Sequence, residues 1–116
     1  MNVIILLGPP GSGKGTIAEA LSSYNVTHIS TGQMLRKEIR LGSKIGMRSK
    51  EAINNGFFAD DDDVVSMVAD FLCNKPSDNC FLFDGFPRTI VQAEKFEELC
   101  NNTEINISGV LSLICP

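Results

Sequence analysis

Apolar residues run unbroken from Val3 to Leu7 and stop at Gly8. A strand with no polar face must be covered on both sides, so this run predicts a central strand of a parallel sheet. The period then changes. Ile17, Leu21 and Tyr24 fall at helical spacing, with Ala18 and Ala20 small enough for close approach to a sheet, which predicts a helix from about Lys14 to Tyr24. Val26 to Ile29 reads as a short second strand. Ser30 or Thr31 can cap the next helix, whose face carries Met34, Leu35 and Ile39 and which Gly42 ends. A further helix covers Ile45 to Asn54, breaks at Asn55-Gly56, and leads into the connecting stretch Phe57-Phe58-Ala59.

The second half repeats the alternation. Asp60 to Asp63 looks like a metal site, yet it lacks the glycine and distal glutamate of a calcium loop. Its position just before Val64, Val65, Val68, Phe71 and Leu72 predicts instead an acidic helix start, where carboxylates accept free backbone N–H groups and complement the dipole. Lys75-Pro76-Ser77-Asp78-Asn79 is turn-rich, and Cys80 to Phe83 is another buried strand, ended by Asp84. Ile90 to Cys100 predicts a helix with Ala93, Phe96 and Leu99 inward and Glu94, Glu97 and Glu98 outward, stopped by Asn101-Asn102-Thr103. Val110 to Ile114 is the fourth apolar strand. No helical pattern follows it.

Composition narrows the class. At 116 residues with 43% hydrophobic content the chain suits one domain with one core. A formal net charge of -4 argues against a nucleic-acid binder, which usually carries a basic field, so any bound phosphate is held locally. No apolar run is long enough to span a membrane, and a soluble, cytoplasmic protein is expected. Six of the ten basic residues, Arg36, Lys37, Arg40, Lys44, Arg48 and Lys50, lie between positions 36 and 50 and read mostly as solvated helix surface, with Arg36 the best candidate phosphate ligand. Cys73, Cys80, Cys100 and Cys115 form no C-x-x-C pair and read as small hydrophobes rather than zinc ligands. His28, the single histidine, reads as a strand-end residue.

The chemistry sits at strand ends. Gly8, Gly13 and Lys14 fit G-x-x-x-x-G-K directly after the first strand, where glycines let the backbone curl until N–H groups converge on phosphate oxygens. The following helix points its positive end at the same place, and Lys14 adds a mobile charge for β- and γ-phosphates. The usual Ser or Thr after the lysine is Gly15, with Thr16 one place later. In an open α/β sheet ligands gather outside the carboxyl ends of strands, so Asp84 can meet a magnesium ion there, and Arg88 can fork onto a second phosphate.

Three linked motifs make the pattern specific: the loop ending Gly13-Lys14-Gly15-Thr16, then Ser30-Thr31-Gly32 with Leu35-Arg36, then Phe83-Asp84-Gly85-Phe86-Pro87-Arg88-Thr89 with Gln92. Together they closely resemble adenylate kinases, in which Gly15 after the lysine is normal. The resemblance implies a doubly wound parallel sheet of the P-loop nucleoside triphosphate hydrolase type, four strands in the order 2-3-1-4, and reversible phosphoryl transfer from magnesium ATP to AMP. It implies ATP contacts from Gly11, Ser12, Gly13, Lys14, Gly15 and Thr16, and an AMP pocket of Thr31, Gly32, Arg36, Phe58, Ala59, Gly85, Arg88 and Gln92. Thr31 and Gln92 would face adenine and the two arginines the monophosphate. Lys14, Arg88 and Asp84 would be catalytic, Asp84 holding magnesium through water. Residues 31–73 would form the AMP-binding helical part of a single core domain. Phe57 and Phe58 replace the family's more usual lysine and leucine.

No Lys or Arg follows Lys95, whereas the family continues into a lid and a further strand and helix rich in arginine. The 116 residues therefore read as a truncated portion with weak or no activity of its own, able to self-associate through strand 110–114, the full-length form being monomeric. The alternatives are another nucleoside monophosphate kinase (for UMP, CMP or GMP), a non-catalytic AMP-binding module, and a domain whose loop binds any phosphate.

Overall fold

The computed structural model describes residues 1–8, 13–75 and 79–112. Its elements follow in the order β1 (Asn2–Leu7), α1 (Lys14–Ser22), β2 (Val26–Ser30), α2 (Thr31–Leu41), α3 (Lys44–Asn54), α4 (Asp61–Cys73), β3 (Cys80–Asp84), α5 (Ile90–Asn101) and β4 (Asn106–Ser112). The strands form one parallel sheet in the order β2-β3-β1-β4, the order expected from the three motifs. Gly11 and Ser12 of the loop, the turn residues Pro76 to Asp78, the expected strand end Ile114, and Cys115 lie outside the described residues.

Strand alternation divides the core between the two faces of the sheet. Val3 and Ile5 of β1 and Phe81 and Phe83 of β3 point to one face, where Val64, Val68 and Leu72 of α4 and Phe96 of α5 cover them. Leu6 and Leu82 point to the other face and meet Ala18 of α1. Both sides of the central strands are therefore closed as far as Leu6, as the unbroken apolar run requires, whereas Leu7 at the strand end is exposed. Phe86 is fully buried with its ring centroid 5.1 Å from that of Phe96 and 5.9 Å from that of Phe83.

Helix ends follow the local chemistry. Ser30 caps α2 by accepting the Gln33 N–H, Asp60 caps α4 by accepting from Asp62 and Asp63, and Thr89 caps α5 by accepting from Gln92. The Gly42 N–H closes α2 on the carbonyls of Glu38 and Ile39. At Gly46 a side chain has no room: a Cβ there would lie 2.1 Å from the Glu38 carbonyl oxygen, because α3 crosses α2 backbone against backbone. The six basic residues from Arg36 to Lys50 are all exposed.

Some expectations shift. The first helix ends at Ser22, because Ser23 to Asn25 form a turn with Asn25 at φ 62, and Tyr24 and Ala20 face solvent rather than the sheet. On α5 the inward stripe is Gln92, Phe96 and Leu99, with Ala93 exposed; Gln92 is tolerated inside because its amide is bonded at both ends. Met67 of α4 is buried and was not foreseen. The last strand begins at Asn106, four residues before Val110, because pairing with Asn2 and Val3 of β1 draws in a polar start that carries no apolar pattern. Among the described residues β4 has no strand on its outer side, and Val110 and Leu111 are exposed. Cys100 is half-buried against the core, where burial pushes its thiol pKa up, whereas Cys73 is exposed.

Candidate functional site

Sheet register lines up three strand ends. Asp84 at the end of β3 stands opposite Leu6 of β1 on one side and Ser30 of β2 on the other. The end of β1, the start of α2 and the Asp84-Gly85 turn therefore share the carboxyl edge of the sheet, where open α/β sheets bind ligands. Gly13 caps α1 at φ 96, a left-handed backbone that favours glycine, and so turns Lys14 into the first helical position. Gly15 and Thr16 follow in the exposed first turn.

Lys14 Nζ donates to Asp84 Oδ1 at 2.9 Å, and His28 Nε2 lies 3.3 Å from Asp84 Oδ2. Burial alone would raise the Asp84 pKa, but the hydrogen bonds and charges of Lys14 and His28 together outweigh it and hold the carboxyl below its usual value. The sequence placed Asp84 at this edge but left His28 as an unassigned strand residue. Only the pairing of β2 with β3 brings the two together.

A lowered folded-state pKa means that Asp84 adds stability above the ordinary carboxylate range, near pH ~4, and loses it as pH falls through the lower folded value. Urea unfolding of the wild type should therefore weaken more between pH 5 and pH 2.5 than that of Asp84→Asn, the difference being the contribution of this pair. Parallel pH profiles for the two proteins would contradict the assignment.

Beside this pair opens a cavity of about 480 Å³. Thr31, Gly32, Phe58, Ala59, Gly85, Arg88 and Gln92, all expected in one pocket, line it together. Its apolar wall comes from Leu35 and Val64, expected on helix faces, and from Ile53 and Met67, which no periodicity singled out. Arg36, the eighth expected residue, is exposed and does not line the cavity; its guanidinium packs against Gly32, one turn earlier on α2. Phe58 is 91% exposed although one side borders the cavity.

The turn after β3 requires its glycine. Gly85 has φ +84, and a Cβ there would sit 3.0 Å from the Arg88 guanidinium and 3.3 Å from Thr31 Oγ1. In the absence of a side chain, the Gly85 carbonyl accepts from Thr31 Oγ1 at 3.0 Å and from Arg88 Nε at 2.9 Å. One dipeptide thus ties the lysine of the phosphate loop, through Asp84, to the threonine and arginine of the cavity, through Gly85.

Among the described residues no three His, Cys, Asp or Glu side chains converge as a closed metal site. Asp84 offers a single partly exposed carboxylate at the strand edge. That donor set suits a hard cation that keeps most of its water and takes its remaining oxygens from phosphates, as magnesium does.

A parallel sheet in this order, with a Gly-Lys loop leaving the central strand and a second pocket across the strand ends, defines a P-loop α/β protein of the nucleotide-kinase type. The family model described as adenylate kinase matches residues 6–116. Adenylate kinase of Desulfitobacterium hafniense (strain DSM 10664 / DCB-2) is 39% identical over 113 residues, covering 97% of this chain and 52% of that protein. Those of Kosmotoga olearia and Desulforudis audaxviator are each 42% identical, over 114 and 117 residues, covering 97% and 100% of this chain and 53% and 54% of theirs. The chain belongs to the adenylate kinase family, and it spans about half the length of the curated relatives it matches.

Proposed function

We propose that these residues form the nucleotide-binding core of an enzyme that transfers a phosphoryl group reversibly from magnesium ATP to AMP, giving two ADP in the cytoplasm. The observation that carries the reading is the Asp84-Gly85 turn, which holds Lys14 on one side and Thr31 and Arg88 on the other. Phosphoryl transfer asks little covalent chemistry of a protein. It asks for two phosphates held in line and positive charge where charge spreads in the transition state.

In this reading Gly11, Ser12, Gly13, Gly15 and Thr16 hold the ATP phosphates and Lys14 reaches the transferred group. Asp84 would hold magnesium through water, and the ion would neutralise phosphate charge when bound. Helices α2 to α4, residues 31–73, form the AMP side with the turn after β3: Thr31 and Gln92 face the base, and Arg36 and Arg88 the monophosphate. Gly32, Phe58, Ala59 and Gly85 shape the cavity between them.

Two measurements on the 116-residue polypeptide test the reading. Calorimetric titration is expected to show saturable AMP binding, and its absence would remove the AMP assignment. A coupled assay is expected to show only slow ADP formation, since no Lys or Arg follows Lys95 within these residues and each missing preorganised donor typically costs on the order of 10²-fold in rate. Turnover at an ordinary enzymatic rate would overturn that second expectation and leave the first standing.

A further inference from the structure

The four consecutive aspartates each have a different partner. Asp60 caps α4, Asp62 pairs with Lys95, and Asp63 pairs with Arg48. Asp61 does none of these. Its Oδ1 accepts from Gln92 Nε2 at 3.0 Å and from Thr89 Oγ1 at 3.0 Å, so the first turn of α4 is bonded to the first turn of α5 across the cavity wall. The other end of the same amide, Gln92 Oε1, accepts from the Arg88 backbone N–H at 2.9 Å.

These partners leave the Gln92 amide one orientation. An ionised carboxylate can only accept, so it must face the NH2 group; a peptide N–H can only donate, so it must face the oxygen. A flip would set oxygen against carboxylate and N–H against N–H, in a side chain only 5% exposed, where no water relieves the mismatch. Of the amide's two N–H donors and two oxygen lone pairs, one of each is used and one of each remains.

We infer that Asp61 is a specificity-determining residue: by fixing the orientation of Gln92 it makes the cavity select a 6-aminopurine monophosphate over a 6-oxopurine one. A 6-aminopurine presents a donor at its exocyclic nitrogen and an acceptor at N1, and a 6-oxopurine presents the reverse. An amide free to flip serves both; an amide held by Asp61 and the Arg88 N–H serves one. Asp61 acts through Gln92 and is therefore a positioning residue. The inference rests on reading the cavity as the AMP site.

The test is the ratio of dissociation constants for AMP and inosine monophosphate, measured by titration calorimetry on the whole 116-residue chain. A matched two-bond pair is worth about 5–150-fold in discrimination between bases, so the wild type should prefer AMP by a factor in that range. Asp61→Asn keeps the shape and supplies an amide that can meet either end of Gln92, leaving the Arg88 N–H as the one group that still orients it; the preference should fall at least about threefold, AMP weakening while inosine monophosphate gains. Asp61→Ala should lower the preference as well and serves if the asparagine variant folds poorly. Asp60→Ala, which removes only the cap, should lower the melting temperature and leave the ratio unchanged. Full preference retained in both folded Asp61 variants would overturn the role of Asp61 while the AMP reading stood. A wild type that binds both monophosphates equally, or neither, would overturn the AMP reading and the inference with it.

Discussion

Replacing Lys14 by methionine should lower phosphoryl transfer from ATP to AMP by on the order of 10²- to 10³-fold, the usual effect of removing one preorganised charge-stabilising donor. Lys14 is the basic side chain that opens α1 beside the phosphate loop, and it is aimed by its 2.9 Å bond to Asp84. The variant should bind AMP as the wild type does, because the lysine does not line the cavity. Single-turnover transfer of labelled γ-phosphate, with enzyme in excess of ATP, is sensitive enough to read the loss. The same substitution has a second consequence. Without Lys14 the burial of Asp84 is opposed by His28 alone, so its carboxyl pKa should rise from the wild-type position, and the acid sensitivity tied to the pair should shrink. Transfer at the wild-type rate would remove Lys14 from the chemistry.

Phe86→Ala should cost about 3–5 kcal/mol of stability, the range for deleting a buried aromatic ring. Phe86 is wholly buried and edge-packed against Phe96, with Phe83 beyond it, so its removal opens a void between β3 and α5 that neither neighbour can fill without leaving the other. Against a typical total of about 5–15 kcal/mol this is a large share. Urea unfolding followed by circular dichroism reads it directly, and a change below about 1 kcal/mol would show that the cluster is not the centre of the core. Phe86 also joins Gly85 to the Pro87-Arg88 segment, so a loosened ring should weaken monophosphate binding even though Phe86 itself does not border the cavity.

Much of this arrangement could be read from residue order. The unbroken run before Gly8, the capping residues Ser30 and Asp60, and the apolar face of α4 are local signals, each tied to a period or a backbone N–H within a few residues. The motifs placed Thr31, Gly32, Gly85 and Arg88 on one cavity because they follow strand ends, and a parallel sheet brings strand ends together. What escaped was set by contacts distant in sequence. His28 meets Asp84 across 56 residues and Asp61 meets Gln92 across 31, and no periodicity encodes either distance. The polar start of β4 escaped for the same reason, since its partner is the opposite end of the chain. Tyr24 fitted the helical period but not the helix, because Asn25 ends the helical turn in a left-handed conformation that spacing alone does not reveal.

The bare contact of Gly46 with the Glu38 carbonyl bears on how the AMP side can move. Two helices separated by side chains can slide and re-seat on new rotamers, but two whose backbones touch have no such slack. α2 and α3 are therefore coupled like a folded bracket. On the reading proposed above, a phosphate drawn to Arg36, midway along α2, would carry α3 with it, and with α3 Ile53 and the Phe57-Phe58 segment, so that a local tug at the monophosphate would become a change in the mouth of the cavity.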